Sequence, residues 1–147
     1  MFKIKLLSPD SIGPQKAFSG DAGFDVYNHS KTVRLGFGDR FKFQLGFALE
    51  LPPGWFALIQ ERSGMAIDSG ILTIGNVIDS TYRGEIHAIL CCFGHRLIEI
   101  QEGQRIAQMI VIRCYTEPDY MITSELSLSF RGRSGFGSTG SEVPRVG

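Results

Sequence analysis

The sequence predicts an all-β domain, a sandwich or barrel of short strands, on three observations. Residues 41–51 carry a large apolar side chain at every odd position and polar or small ones between, the period-two pattern of a strand with one buried face. Short apolar runs recur along the chain, bounded by glycine and proline turns such as Pro52-Pro53-Gly54. Only residues 61–70 leave room for a helix, and a short one.

Taken in order, residues 3–7 suggest an opening strand, and Ser8, Pro9, Asp10, Gly13 and Pro14 a polar loop after it. Small residues from Ser19 to Gly23 lead into a strand-like run ending at Tyr27. The strand at 41–51 stops at the Pro-Pro-Gly turn, and Trp55 begins another that reaches Gln60. In the helical stretch Ser63 is the expected N-cap and Gly70 the expected C′ residue, with less than two turns between them. Residues 72–78 and 85–90 are β-prone flanks of a hairpin with a short polar tip. Residues 87–93 and 103–112 are apolar on both faces, as in covered strands, and 98–100 is a short strand between them. From Arg131 onward only Phe136 offers an apolar side chain of any size among ten glycine-rich residues, so residues 131–147 read as a flexible arm on a domain spanning 1–130.

Composition narrows the function. A chain of 147 residues, 43% hydrophobic and 20% charged, is sized for one domain with a real core. A formal net charge of +0 argues against a general DNA or RNA binder, which needs a basic face to displace counterions. No apolar run approaches the roughly 20 residues that span a bilayer, and the first residues lack a signal-peptide pattern. The three cysteines fit neither a disulfide framework nor a zinc site and read as reduced thiols of a cytoplasmic protein (nuclear in a eukaryotic or viral setting). All five lysines lie at or before Lys42, and the later basic residues are arginines, several beside glycines, where a planar fork suits phosphate or carboxylate oxygens.

The residues with chemistry cluster in these loops. Asp79 and Tyr82 stand near the hairpin tip, where a carboxylate can orient and deprotonate water and a ring can pack on a flat ligand or sugar; equally, Asp79 can cap a turn and Tyr82 seal an edge. Asp21 and Asp25, close to glycines, can support a hydrated cation or cap turns. Arg62 beside the short helix favours a phosphate. Gln108, the lone amide of an apolar run, either ties down backbone or faces a polar ligand. His87 reads as structural. Arg131, Ser138 and Thr139, with the glycines around them, can gather on an anion, and Phe136 can stack on a base; a plain disordered tail has the same composition.

Five of these segments, in this order, resemble the motifs of the deoxyuridine triphosphate nucleotidohydrolase (dUTPase) family. They are Ala-Gly-Phe-Asp-Val at 22–26, Arg-Ser-Gly-Met-Ala at 62–66 and Val-Ile-Asp-Ser-Thr-Tyr-Arg-Gly-Glu at 77–85, then Gly-Gln-Arg-Ile-Ala-Gln at 103–108 and Arg-Gly-Arg-Ser-Gly-Phe-Gly-Ser-Thr-Gly at 131–140. Any one alone would be weak, and together they span nearly the whole chain. The resemblance implies a jelly-roll-like β-clip fold, a homotrimer with shared active sites, and Mg2+-assisted hydrolysis of dUTP to dUMP and pyrophosphate by water attacking the α-phosphorus. That activity keeps uracil out of DNA and supplies dUMP for thymidylate synthesis. Carried over by position, it implies that Asp79 is the base activating water, and that Tyr82 packs under the deoxyribose and excludes a 2′-hydroxyl. The backbone at Asn76 and Val77 would read uracil. Arg62, Ser63, Gly64 and Gln108 would hold the triphosphate, with Asp25 reaching the metal through water. From a third subunit, Phe136 would cover the base while Arg131, Gly137, Ser138 and Thr139 clasp the γ-phosphate.

Three positions depart from the family pattern: Glu61 replaces a usual proline, Asn76 a common glycine, and Thr81 a position that is often acidic. A dCTP deaminase of the same fold would call for an Arg-Ser-Ser segment, but Gly64 follows Ser63 here. A catalytically silent regulatory homologue fits poorly with the presence of Asp79, Tyr82, Gln108, Arg131 and Phe136.

Overall fold

Apolar alternation and well-placed glycines produce ten strands and one short helix among the residues that the computed structural model describes, 1–116 and 120–133. The expected all-β class is what forms. The chain divides into two units, Met1–Thr116 and Glu117–Gly147, and among the described residues all the helix and strand lies in the first.

One four-stranded sheet is built from β1 (Lys3–Leu6), β4 (Arg40–Glu50), β8 (Glu85–Cys92) and β6 (Ile71–Ile74), in that spatial order. A second takes β2 (Gly23–Tyr27), β10 (Arg105–Arg113), β5 (Trp55–Gln60) and β7 (Val77–Ile78). The pair β3 (Val33–Leu35) and β9 (Ile98–Ile100) makes a small third sheet, and every pairing is antiparallel. Phe43, Leu45, Phe47, Ile59, Ile86 and Met109 are fully or almost fully buried in one core cluster, which both large sheets line. The β3 strand carries no alternation long enough to have been foreseen.

The strand expected at 41–51 keeps one buried face only as far as Gln44. At Gly46 the backbone takes φ +72°, the register against β8 slips between Gln44 and Ala48, and residues 45–49 are all buried. The bulge is held by Glu85, whose carboxylate accepts the Gly46 N–H at 3.1 Å and the Gln44 amide at 3.0 Å. Space is as restrictive as dihedral here, because a Cβ on Gly46 would stand 2.7 Å from Ser11 Oγ and 2.8 Å from His29 Cγ.

The hairpin flank expected at 72–78 is two strands. Gly75, at φ +64°, breaks it: β6 pairs with β8 in the first sheet, while β7 crosses to pair with β5 in the second. Antiparallel pairing with β8 therefore ends at Ile74, opposite Ile89, and the polar tip is a longer loop than the sequence suggested.

The helix α1 (Ser63–Ser69) forms, but Ser63 is its first residue rather than its cap. Arg62 occupies the N-cap in extended backbone and makes no side-chain cap bond, since a guanidinium has no acceptor for the helix N–H groups; it pairs with Asp25 instead. The far end matches expectation: Gly70 is left-handed, and its N–H returns to the Ala66 and Met65 carbonyls. Cys91 and Cys92 are buried free thiols, and Cys114 is half-buried and free. No helix among the described residues is long and apolar enough to cross a membrane.

Candidate active site

The central strand of the second sheet positions the polar residues. On β10, Gln108 lies opposite Asp25 on β2 and opposite Gln60 on β5, so the first motif and the approach to the second flank one amide. Gln108 Nε2 donates to the Glu61 carbonyl at 3.0 Å. Its side chain packs on Gly23, where a Cβ would stand 2.5 Å from Gln108 Oε1, and this gives the first-motif glycine a spatial reason. Of the two sequence readings of Gln108, tying down backbone is the one the Nε2 bond displays, while Oε1 is left for other partners.

Asp25 is largely buried and sits between two guanidiniums: Arg62 Nε lies 3.1 Å from Oδ1, and Arg105 Nη1 lies 3.1 Å from Oδ2. Such an arrangement fixes Arg62 while leaving the rest of its fork free to meet an anion. Arg105 was not singled out in the sequence beyond its place near a glycine; its spacing from Asp25 across β2 and β10 was the signal available. A carboxylate has about four lone-pair sites, so Asp25 can still accept a hydrogen bond from the water shell of a hydrated cation. Among the described residues no cluster of three or more His, Cys, Asp or Glu could hold a metal directly, so a magnesium ion would need oxygens from elsewhere, as from a phosphate chain. Asp21, by contrast, is a turn residue that accepts the Phe18 N–H at 2.8 Å.

The loop after β7 places Asp79 and Tyr82 at opposite ends of one turn, closed by the Tyr82 N–H donating to the Asp79 carbonyl at 3.1 Å. Asp79 is exposed, and among the described residues its carboxylate makes no hydrogen bond or ion pair, so it does not act as the turn-capping side chain. Arg83 locks the tip by donating to the Ser80 carbonyl at 2.6 Å and the Tyr82 carbonyl at 3.0 Å. Tyr82 donates to the Glu85 carbonyl at 3.1 Å and lays its ring where a Cβ on Gly84 would have to be, yet 44% of it stays exposed. His87 bonds the Glu85 carbonyl at 2.9 Å, a structural contact.

Asn76 departs from the simple expectation of a free backbone reader. Its carbonyl accepts the Ile59 N–H at 3.0 Å, extending the β5–β7 pairing, and its Nδ2 donates to Thr73 Oγ1 at 3.1 Å. Val77 beside it is exposed. Thr73 donates to Glu61 Oε2 at 2.9 Å, and Glu61's own backbone N–H followed by this hydroxyl holds the Glu61 carboxyl below its ordinary range. Thr73 and Glu85 were not recognised as site-shaping residues, since neither type nor spacing announces such a role.

Ser63 and Gly64 open α1, next to Arg62. Thus Asp25, Arg62 and Gln108 are brought together, while Asn76, Val77, Asp79 and Tyr82 share the loop whose first residues pair with β5. Arg131 belongs to the second unit, and Phe136, Gly137, Ser138 and Thr139 lie outside the described residues.

Comparison with known proteins gives one family. The dUTPase family model matches residues 10–140. Deoxyuridine 5'-triphosphate nucleotidohydrolase of Clostridium tetani is 38% identical over 140 residues, covering 94% of this chain and 95% of that protein. The enzyme of the same name from Paramecium bursaria Chlorella virus 1 is 38% identical over 137 residues, covering 93% and 96%. Among solved structures, the Staphylococcus bacteriophage 80alpha dUTPase with dUPNHPP superposes with a TM-score of 0.86 at 25% identity, covering 95% of this chain and 98% of that one. A mutant dUTPase of S. aureus phage phi11, described with a coordinated structural Mg(II) ion, shares the fold at a TM-score of 0.77 and 19% identity, covering 87% and 99%.

Proposed function

Because this chain belongs to the dUTPase family and is a dUTP nucleotidohydrolase, we propose that it cleaves dUTP to dUMP and pyrophosphate by water attack on the α-phosphorus, with Asp79 as the base. The observation that best supports this assignment is the exposed Asp79 carboxylate, free of turn-capping bonds, on a loop braced by Arg83 and Tyr82. A carboxylate so held can take a proton from water without first giving up an internal partner.

Arg62, Ser63, Gly64 and Gln108 hold the triphosphate. Asp25 aims Arg62 through their ion pair, and the Gln108 amide is fixed by Gly23 and the Glu61 carbonyl, leaving its second Nε2 hydrogen to donate to a phosphate oxygen. Tyr82 supports the deoxyribose, and its bond to the Glu85 carbonyl keeps the ring where a 2′-hydroxyl would collide. Asn76 and Val77 form the edge that reads uracil; because the Asn76 carbonyl is spent on Ile59, the reading groups are the neighbouring main-chain atoms. Mg2+, when bound to the phosphate oxygens and reached by Asp25 through water, supplies charge neutralisation. Phosphoryl transfer depends mostly on positioning and electrostatics, and this site offers both.

The assembly proposed is a homotrimer. In it the arm at 131–147 of one subunit closes another's site, with Phe136 over the base and Arg131, Gly137, Ser138 and Thr139 at the γ-phosphate. Its metabolic role is to limit uracil in DNA and to supply dUMP for thymidylate synthesis.

Separate incubations with dUTP, dCTP, dTTP and UTP in the presence of magnesium test the reading. Formation of dUMP and pyrophosphate from dUTP alone is the expected result. Ammonia released from dCTP, or tight dUTP binding without turnover, would overturn it.

A further inference from the structure

Glu61, a departure from the family pattern, touches both halves of the site. Its backbone carbonyl accepts Gln108 Nε2 at 3.0 Å, and its carboxylate accepts the Thr73 hydroxyl at 2.9 Å. That hydroxyl in turn accepts Asn76 Nδ2 at 3.1 Å. Thr73 has one proton and two candidate acceptors, Glu61 Oε2 at 2.9 Å and the Ile59 carbonyl at 3.3 Å. The closer oxygen takes the proton, which leaves the hydroxyl's lone pairs facing Asn76. Thr73 is only 9% exposed, so water competes little for this chain of bonds.

The far end of the chain has a cost. Asn76 Oδ1 is buried with no hydrogen-bond partner among the described residues. An unpaired buried carbonyl is destabilising, so it persists where the opposite end of the amide is held firmly for another reason. Two unusual residues, Glu61 and Asn76, are thereby joined through one threonine.

From this hydrogen-bond chain we infer that Glu61 is a positioning residue: through Thr73 it fixes Asn76, and hence the edge that reads the base, relative to Gln108 at the triphosphate. The inference rests on the proposed assignment of Asn76 to the base side and Gln108 to the phosphates. It makes the hydrogen-bonding oxygen of Glu61, rather than its negative charge, the property that matters. A charge placed near a triphosphate would oppose binding, and its removal would tighten it; an acceptor for Thr73 would do the reverse.

The two are separable with the full-length protein bearing Glu61→Ala, Glu61→Gln or Thr73→Val, compared by dUTP kinetics, inhibition by dUMP and thermal melts. Losing one link of the chain should raise KM for dUTP and weaken dUMP inhibition about three- to tenfold in Glu61→Ala and Thr73→Val, with kcat within about twofold. Glu61→Gln keeps an acceptor oxygen and should stay within about twofold of the parent on every reading. Parental KM in Glu61→Ala would overturn the inference. So would Glu61→Gln as impaired as Glu61→Ala, or tighter dUTP binding in Glu61→Gln than in the parent. Glu61 is partly exposed, so its variants remain informative if Thr73→Val folds poorly. The parent's own turnover of dUTP, measured alongside, tests the functional assignment separately.

Discussion

Gly23→Ala is a small change with a large expected effect. The added methyl would stand 2.5 Å from Gln108 Oε1, 3.2 Å from its Cβ and 3.3 Å from its Cδ. The Oε1 contact alone could be relieved by a rotation of the amide. That rotation swings Nε2 off the Glu61 carbonyl, and the Cβ contact asks for a further few tenths of an ångström of adjustment. Crowding of this kind costs about 1–3 kcal/mol, and the lost hydrogen bond about 0.5–1.5 kcal/mol. Restricting the unfolded chain returns about 0.4–1 kcal/mol. The net is a destabilisation of about 0.5–4 kcal/mol, centred near 2 kcal/mol, which for a domain of this size lowers the melting temperature by roughly 4–8 °C at its centre.

Melts at one fixed protein concentration read that term, and steady-state kinetics read the displaced Gln108. Loss of a hydrogen bond to a charged phosphate oxygen should raise KM for dUTP by about ten- to a hundredfold. Gly20→Ala is the matched control, since a Cβ there meets nothing within 4 Å. Its melt and KM should equal the parent's. A Gly23→Ala protein with parental melt and parental KM would refute the reasoning, because neither the packing on Gly23 nor the role of Gln108 would then hold.

Replacing Asp79 with Asn should leave nucleotide binding nearly intact while cutting turnover by about two to four orders of magnitude, read by equilibrium binding and kcat on one preparation. Ending the chain at Phe130 should preserve the melt of the β domain but abolish most dUTP turnover, and full activity would remove the arm from catalysis. Glu61 gives a pH signature: its folded carboxyl is held below the ordinary 4.5, so the stability it adds is present above that value and is lost as pH falls through the lowered one. Glu61→Gln should therefore destabilise less steeply than the parent between neutral pH and acid, measured by melts across that range.

The all-β class, most strands and the C-terminal glycine of the helix were legible because each depends on local pattern. Alternation at 41–45 and the Pro-Pro-Gly stop needed no tertiary knowledge. What escaped was set by partners distant in sequence. Within residues 72–78 only Gly75 marks a break, and it does not say that the two halves join different sheets; that follows from β5 offering its edge to β7. Ser63 has the chemistry of a cap, but Arg62 was drawn to Asp25 and took the N-cap position in extended backbone. The site residues were found by motif order, and their mutual geometry emerged only with the β10 register that sets Gln108 beside Asp25. Glu85, read as the end of a motif, turned out to hold the bulge of β4.

The division of one segment between two sheets also sets how this enzyme breathes. Both are edge strands, but β6 holds to β8 through four residue pairs, whereas β7 holds to β5 through two, with the Asn76 carbonyl adding one more bond. Local opening costs least where few backbone bonds must part and the side chains are already wet, and Val77 is 60% exposed. Amide protons at 77 and 78 should therefore exchange well ahead of those at 71–74. Gly75 acts as the joint between a fixed half and a yielding half. On the proposed assignment of Asn76 and Val77 to the base, the yielding half is the part that meets the nucleotide, while β6 stays paired to β8.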